Sequence, residues 1–371
     1  MSIQNTENKD EADFFDLIGN LWNNKFKIIF ITLICILLST IYAFTTKEEW
    51  TSSAQVIAPE PVQLGTYLEA ERKYYRFQFV EIDNELNKRL PSLSVDSVFN
   101  LEKTLENVFR AFTVELNSFN NKLAYLQQSN YYKRLAEQED SDLKKNILLH
   151  QLNEDISIKS DIGNSALLNI SFTAEDPVNA QKSLQEFINQ SNKNALLKLF
   201  KNLFERTNER IDSLTEISQN MKKSADQERQ NQILVLEQAI RAATEAGINE
   251  YTGQSLATGN TIIDFNNTDT LFLLGQKYLT SQLNALKNSP VIYPVSYYQT
   301  LNNIEELKGI LNIEPKGVIF SYTRTADIPL TKDKPNKAII LIFGALLGGM
   351  AGCVYVLITT AVKNRKKTIT N

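Results

Sequence analysis

The fold is decided by residues 176–247, DPVNAQKSLQEFINQSNKNALLKLFKNLFERTNERIDSLTEISQNMKKSADQERQNQILVLEQAIRAATEAG. After Pro177 this stretch contains no glycine and no proline until Gly247. Its start, Asp176-Pro177, supplies an N-cap oxygen and then a proline at the first helical position, where the missing N–H costs nothing. Its end, Ala246-Gly247, places glycine just past a helix former. The pattern predicts one helix over 177–246, about 105 Å long. A compact domain of this size is only about 50 Å across, so such a helix must protrude or pack against copies of itself. The rival is a pair of helices broken near Ser191–Asn194 or Ser224–Gln232. No strong breaker stands at either place.

Apolar residues crowd the first third, from Leu184 and Phe187 to Leu203 and Phe204. The middle thins to one stripe, Ile211, Leu214, Ile217, Met221 and Ala225, among charged neighbours. A narrow stripe on a charged helix is expected to be a seam against one or two other helices, and these five residues are the candidate oligomer contacts.

Two uncharged runs flank everything else. Ile28–Thr46 is long enough to cross the hydrocarbon layer of a bilayer. The acidic start and the lack of a small-x-small site argue for an uncleaved anchor rather than a signal peptide. Ala338–Val362 is the second span. Lys363, Arg365, Lys366 and Lys367 follow it, which predicts a cytoplasmic C-terminus by the positive-inside rule. Two spans then place the N-terminus there too, as Lys25 and Lys27 suggest, and put 47–337 on the far side. Before the first span, Phe14, Phe15, Leu17, Ile18, Leu21 and Trp22 form a short amphipathic face for the interface. The expected organisation is a cytoplasmic tail (1–27), a span (28–46), an exported domain (47–337), a span (338–362) and a short tail (363–371).

Within the second span, Gly344, Gly348 and Gly352 recur every four residues, with Gly349 alongside. This is a face that permits close helix packing, against the first span or between protomers. The approach to it, Asp327 to Lys337, holds Pro329 and Pro335 and is expected to be a stiff extended tether.

Inside the exported segment the periodicities predict a strand at Trp50–Ala58, ended by Pro59 and Pro61. Helices are expected over Val62–Leu90, Asp96–Thr113, Glu115–Glu139 and Ser141–Asn153. A hairpin pairs Ile156–Ile158 with Ala166–Thr173 around a turn at Asp161–Asn164. After a loop with Gly253 and Gly259 come helices Thr268–Lys287 and Ser296–Leu311, then a strand Gly317–Arg324. The expectation is an α+β fold, with a mixed base next to the bilayer and a long helical protrusion.

Composition excludes several functions. The chain has 371 residues and a formal net charge of −4, which gives no reason to expect nucleic acid as a partner. Its two cysteines, Cys35 and Cys353, both fall inside the spans, so neither a disulfide framework nor a metal-ligand spacing is present. The one histidine, His150, sits beside Leu148 and Leu149 on an expected helix and is a poor candidate for a catalytic triad. No phosphate-binding G-x4-G-K-[ST] loop exists. The acidic runs Glu48-Glu49 and Glu137/Glu139/Asp140 read as solvated helix ends. The aromatic pairs Tyr74-Tyr75, Tyr131-Tyr132 and Tyr297-Tyr298 are expected to serve packing rather than sugar stacking. No catalytic, cofactor or metal residue is assigned.

Several pieces together resemble the Wzz family of O-antigen chain-length determinants, the polysaccharide co-polymerases, with the long-chain regulators as the nearest type. They are Asp16-Leu17-Ile18…Leu21-Trp22, Trp50-Thr51-Ser52, Pro59-Glu60-Pro61-Val62, Ser171-Phe172-Thr173-Ala174 and the tether with its glycine span, Pro329…Pro335-x-Lys337-Ala338…Gly344-x3-Gly348-Gly349. The last is the most specific. Where family members often carry a further proline upstream, Thr325-Ala326 stand. The resemblance implies a homo-oligomer in the bacterial inner membrane with a periplasmic ring of long helices. It implies that this oligomer sets how many repeats the Wzy polymerase adds to undecaprenyl-linked O-antigen. It implies no enzyme activity. The alternatives are a two-span periplasmic sensor, for which few residues remain after the second span to serve as output, and a co-polymerase for enterobacterial common antigen or capsule.

Overall fold

The computed structural model describes residues 19, 21–86, 99–161, 166–250 and 268–369. The expected interfacial residues Phe14–Ile18, the hairpin turn from Ile162 and the loop with Gly253 and Gly259 lie outside them. Two compact units emerge. The first comprises residues 1–59, 109–195 and 319–371, and the second 60–108 and 196–318.

The first unit contains both apolar helices and a sheet. Helix α1 is Lys25–Thr45 and helix α10 is Lys337–Ile369; each carries a window long and apolar enough to cross a membrane. Strand β1 (Trp50–Ile57) follows α1 directly. It is central in a four-stranded antiparallel sheet of order β2-β3-β1-β4, where β2 is Ile156–Ser160, β3 Leu168–Ala174 and β4 Ser321–Arg324. Alternation sets one face inward: Ala54, Val56, Ile170 and Phe172 are buried to within 1% of zero exposure. Helices α4 (Phe119–Gln128), α5 (Asn130–Ala136) and α6 (Asp142–Glu154) belong to this unit. Phe112, near the end of α3 (Leu101–Asn117), stacks on Phe320 with ring centroids 4.7 Å apart.

Helix α7 spans Pro177–Glu245, 69 residues without a break. Asp176 caps its start by accepting from the Asn179 N–H at 2.8 Å. Its end is a Schellman closure: Gly247 has φ +69°, its N–H donates to Thr244 O and the Ile248 N–H to Ala243 O. The first site suspected of breaking it is where polar residues make tertiary bonds. Asn121 donates to Ser191 Oγ at 3.0 Å and accepts from Asn194 at 2.8 Å, while Asn192 Oδ1 accepts from the Ile319 N–H at 2.9 Å. Side chains that would otherwise compete for the helix backbone are thus occupied elsewhere.

The second unit holds α2 (Thr66–Leu86), α8 (Gln276–Asn288), α9 (Val295–Leu311) and the later part of α7. Tyr67, Phe200, Leu203 and Leu307 are buried here, and Leu236, Ala239, Ala243, Leu274, Leu279 and Leu283 form a separate apolar cluster. Arg206 reaches both oxygens of the buried Glu71 at 3.1 and 3.2 Å and lies over the Tyr74 ring. Near the second suspected break, Arg229 closes the C-terminus of α8, donating to Leu286 O and Ser289 O at 2.6 Å each.

Several boundaries depart from expectation: the helix expected to end at Thr113 runs on to Asn117, and the next begins at Phe119 behind its cap Ser118. Helix 62–90 is instead a 3-10 turn, Pro61–Leu64, then Gly65 at φ +55°, then α2. Gly65 and Gly317 pack backbone to backbone, and a Cβ on either would lie 2.4 Å from a carbonyl oxygen. Val318 therefore donates to Gln63 O, and β4 starts later than Gly317. The helix expected over 115–139 divides at Ser129, whose hydroxyl accepts from Tyr132 N and donates to Leu126 O. The helix expected over 268–287 divides at Gly275, φ +84°, with a 3-10 segment Thr268–Leu274 before it.

Candidate functional site

The chemistry of this chain is concentrated where the two apolar helices meet the sheet. Helix α10 lies along α1 through its glycines. A Cβ at Gly344 would stand 2.1 Å from Ser39 Oγ, and one at Gly348 would be 2.8 Å from Cys35 Cβ and 2.9 Å from Thr32 Cα. At Gly352 the nearest atom would be Ile28 Cα at 3.1 Å. Glycine's missing side chain is what allows this approach. Gly349 differs from the expected grouping, because a Cβ there meets nothing within 4 Å. One residue is a 100° turn, which carries it off the face shared by positions four apart.

Just above the paired helices, the tether is clasped to the start of β1. Glu49 N donates to Lys334 O at 3.0 Å, Asp333 N to Glu49 O at 2.9 Å, and Thr51 N to the Asp333 carboxylate at 2.9 Å. Higher up, Ser52 Oγ donates to Asp327 O at 2.8 Å and Gln181 Nε2 to Ala326 O at 2.8 Å. Pro335 is buried and Pro329 half-buried. The expected stiff, extended tether is therefore a third partner of β1 beside β3 and β4, because its backbone groups find acceptors and donors there.

Ion pairs surround the clasp. Lys332 stands 2.7 Å from Glu48, Lys334 3.0 Å from Glu49, and Lys47 2.7 Å from Glu175. The Lys332 hydrogen bond holds the Glu48 carboxyl below its usual range, and the Glu49 hydrogen bond raises Lys334. Asp155, at the C-terminus of α6, behaves oppositely. Burial pushes its carboxyl up to about 6, the Glu49 charge adds to this, and Lys334 opposes it.

Along α7, Leu214 is buried within its own chain, whereas Ile211, Ile217, Met221 and Ala225 stay half-buried. Ile217, Met221 and Ala225 line an open groove with Pro294. His150 is exposed, its ring 5.8 Å from that of Phe119. Tyr74 packs edge-on to Tyr75, and Tyr131 to Phe172. Tyr297 packs against both Tyr293 and Tyr298. Among the described residues no group of three or more His, Cys, Asp or Glu could hold a metal ion. The sequence signal for the clasp is the match of acids at 48–49 with lysines at 332 and 334; Glu48 and Glu49 pair with these lysines rather than standing as solvated helix ends.

The family model described as Wzz, chain length determinant protein, matches residues 10–110, which span α1, β1 and the start of the second unit. A chain length determinant protein of Salmonella typhimurium is 25% identical over 358 residues, 96% of this chain and 94% of that protein. One from Escherichia coli K12 is 26% identical over 356 residues, with the same coverages. Over residues 10–110 the chain matches the chain length determinant family model, and along 96% of its length it is similar to chain length determinant proteins. An uncharacterized Haemophilus influenzae protein is 30% identical over 205 residues, 54% of this chain and 97% of that one. Among solved structures, a full-length bacterial polysaccharide co-polymerase superposes with TM-score 0.62 at 24% identity, covering 94% of this chain and 98% of that one. A Shigella flexneri lipopolysaccharide O-antigen chain-length regulator gives 0.51 at 19% identity, covering 76% and 100%. These matches share the mixed helix and sheet architecture, and the first spans nearly the whole chain.

Proposed function

We propose that this protein is a non-enzymatic regulator of O-antigen chain length. It sits in the bacterial inner membrane with both termini cytoplasmic and residues 47–337 periplasmic. It acts as a homo-oligomer alongside the Wzy polymerase and its undecaprenyl-linked glycan. The observation that carries this is the clasp: one chain brings both apolar helices together and fastens the sheet to them at Glu49 and Asp333. Such a join suits a scaffold whose orientation to the membrane matters. The half-covered stripe at Ile217, Met221 and Ala225 supplies the contact between copies. Deleting the gene is expected to turn clustered O-chain lengths on a lipopolysaccharide gel into a monotonic, unregulated ladder. An unchanged ladder would reject the proposal, and a changed capsule or common-antigen profile instead would reassign the polysaccharide.

A further inference from the structure

The second unit holds a recess that neither the clasp nor the α7 stripe uses. Residues of α2 and of the start of α3 line it, and it encloses about 260 Å³. That is the space of about nine waters, enough for one hexose and too little for a nucleotide. Every lining residue carries a hydrogen-bonding side chain, and three of them are buried: Tyr67, Glu71 and Thr104 are 4%, 6% and 8% exposed. Asn107 is half-buried and Lys103 exposed, which sets an amide and an ammonium nearer the mouth. Buried polar groups facing a recess are stable only against a polar occupant, water or ligand. Partners within the chain do not exhaust them. Glu71 accepts from Arg206, which is not part of the lining, and from the Tyr67 hydroxyl. An ionised carboxylate offers about four acceptor positions, so it can take further O–H donors. Tyr75 adds an aromatic wall, its ring fixed edge-on to Tyr74 and Phe99 with centroids 6.0 and 5.6 Å away.

The chemistry of the occupant follows from the lining. A phosphate or carboxylate ligand would meet the Glu71 charge in a poorly solvated space, which is unfavourable. A metal ion would find one carboxylate, and among the described residues no group of three or more His, Cys, Asp or Glu stands together. An apolar ligand would strand the phenol, the hydroxyl and the carboxylate. A neutral sugar ring satisfies all of them. Its hydroxyls donate to Glu71 and accept from Lys103 and Asn107, and its C–H face lies against Tyr75. We propose that this recess is a subsite for one neutral sugar ring of the glycan whose length the protein regulates. The inference rests on the regulator reading under Proposed function and deepens it: the protein holds the glycan itself, and does not act through the polymerase alone.

The test uses full-length protein in a detergent without a sugar headgroup, with O-polysaccharide released by mild acid from the strain's lipopolysaccharide as the probe. Saturation-transfer difference NMR reads which sugar protons touch the protein. Saturation is expected on the ring protons of one sugar of the repeat. Asn107→Leu removes an amide at nearly constant volume, and Lys103→Trp places an indole at the mouth from an exposed position. Each is expected to weaken binding about fivefold, as loss of one or two hydrogen bonds would. Leu143→Trp, at an exposed position on α6, is expected to bind as the parent does. Circular dichroism checks that each variant is folded, and Lys103→Trp, a surface change, carries the test if Asn107→Leu does not fold. Parental saturation in the folded recess variants, or equal weakening by Leu143→Trp, places the glycan elsewhere and overturns the subsite. So does an absence of saturation with the parent protein, and in each of these cases an unregulated ladder on gene deletion still supports the regulator. An unchanged ladder on deletion removes the regulator reading and the subsite with it.

Discussion

The two helical contacts that matter most in this chain differ in how far one copy completes them. Between α1 and α10 the fit is finished: of three glycines four residues apart, Gly344 and Gly348 leave no room for a methyl group against Ser39, Cys35 and Thr32, and Gly352 leaves little against Ile28. Along the middle of α7 the fit is unfinished, since four of the five stripe residues remain half-exposed and one groove stays open. Both stripes follow the same helical period. The difference lies in partners. In lipid there is little hydrophobic drive between helices, so a close-packed pair must be built from small residues. In water a half-covered apolar stripe retains a drive to find another surface. The first contact is structural within the chain, and the second is available for assembly.

The strongest way to break this comparison is Gly348→Leu. Its Cβ alone would be under 3 Å from two α1 atoms, so separating the helices should cost about 3 kcal/mol or more. The thermal midpoint in detergent should drop sharply and the O-chain distribution should widen. Gly349→Leu, facing open space, should leave both unchanged, and equal damage from the two would show that the pairing face is wrong.

Arg206→Ala probes the second unit alone. It strands Glu71, whose side chain is 8% exposed, and removes the cation over Tyr74. A loss on the order of 3 kcal/mol is expected, reduced somewhat because Arg206 is 39% exposed. Chemical unfolding in detergent measures it, and a Glu71→Gln, Arg206→Ala double variant should recover part of the loss.

Ile217→Asp with Met221→Asp sharpens the contrast. Each residue is only half-buried in one copy, so the chain should stay folded. The mass of the detergent-extracted complex should fall toward that of a single subunit. A folded variant of unchanged mass would remove α7 from the assembly contact.

The smallest effect concerns Asp155. Its folded carboxyl is raised to about 6 from 3.8 unfolded, so protonation favours the native state. Stability from this group is fullest below about pH 4 and is lost as pH rises through about 6. Asp155→Asn should therefore stabilise the protein at pH 7.5, by about 1 kcal/mol after allowing for solvent screening. It should also flatten the pH dependence between 4 and 6. A midpoint that is unchanged at pH 7.5 would place Asp155 in a more open setting.

Much of this was legible along the chain because it depends on local order. The Asp176-Pro177 start and Gly247 end of α7 rest on capping chemistry within a few residues. The alternation in β3 and the apolar runs of α1 and α10 rest on periodicity alone. The differences arise where one residue is claimed by a distant partner: Gly65 ends a turn because Lys316 approaches from 251 positions away. At Ser191 and Asn194 the expected unbroken helix holds, and Asn121 takes their side chains.

By itself, then, the sequence determined two helices long and apolar enough to cross a membrane, one unbroken 69-residue helix and the strands of a small hairpin, since each is encoded in spacing and caps. Tertiary structure alone decided that the glycine face turns to α1 and excludes Gly349. It also decided that the proline segment is bound along β1 rather than hanging free. Both outcomes depend on which backbone groups and surfaces lie opposite across nearly 300 residues of chain, and no local pattern carries that information.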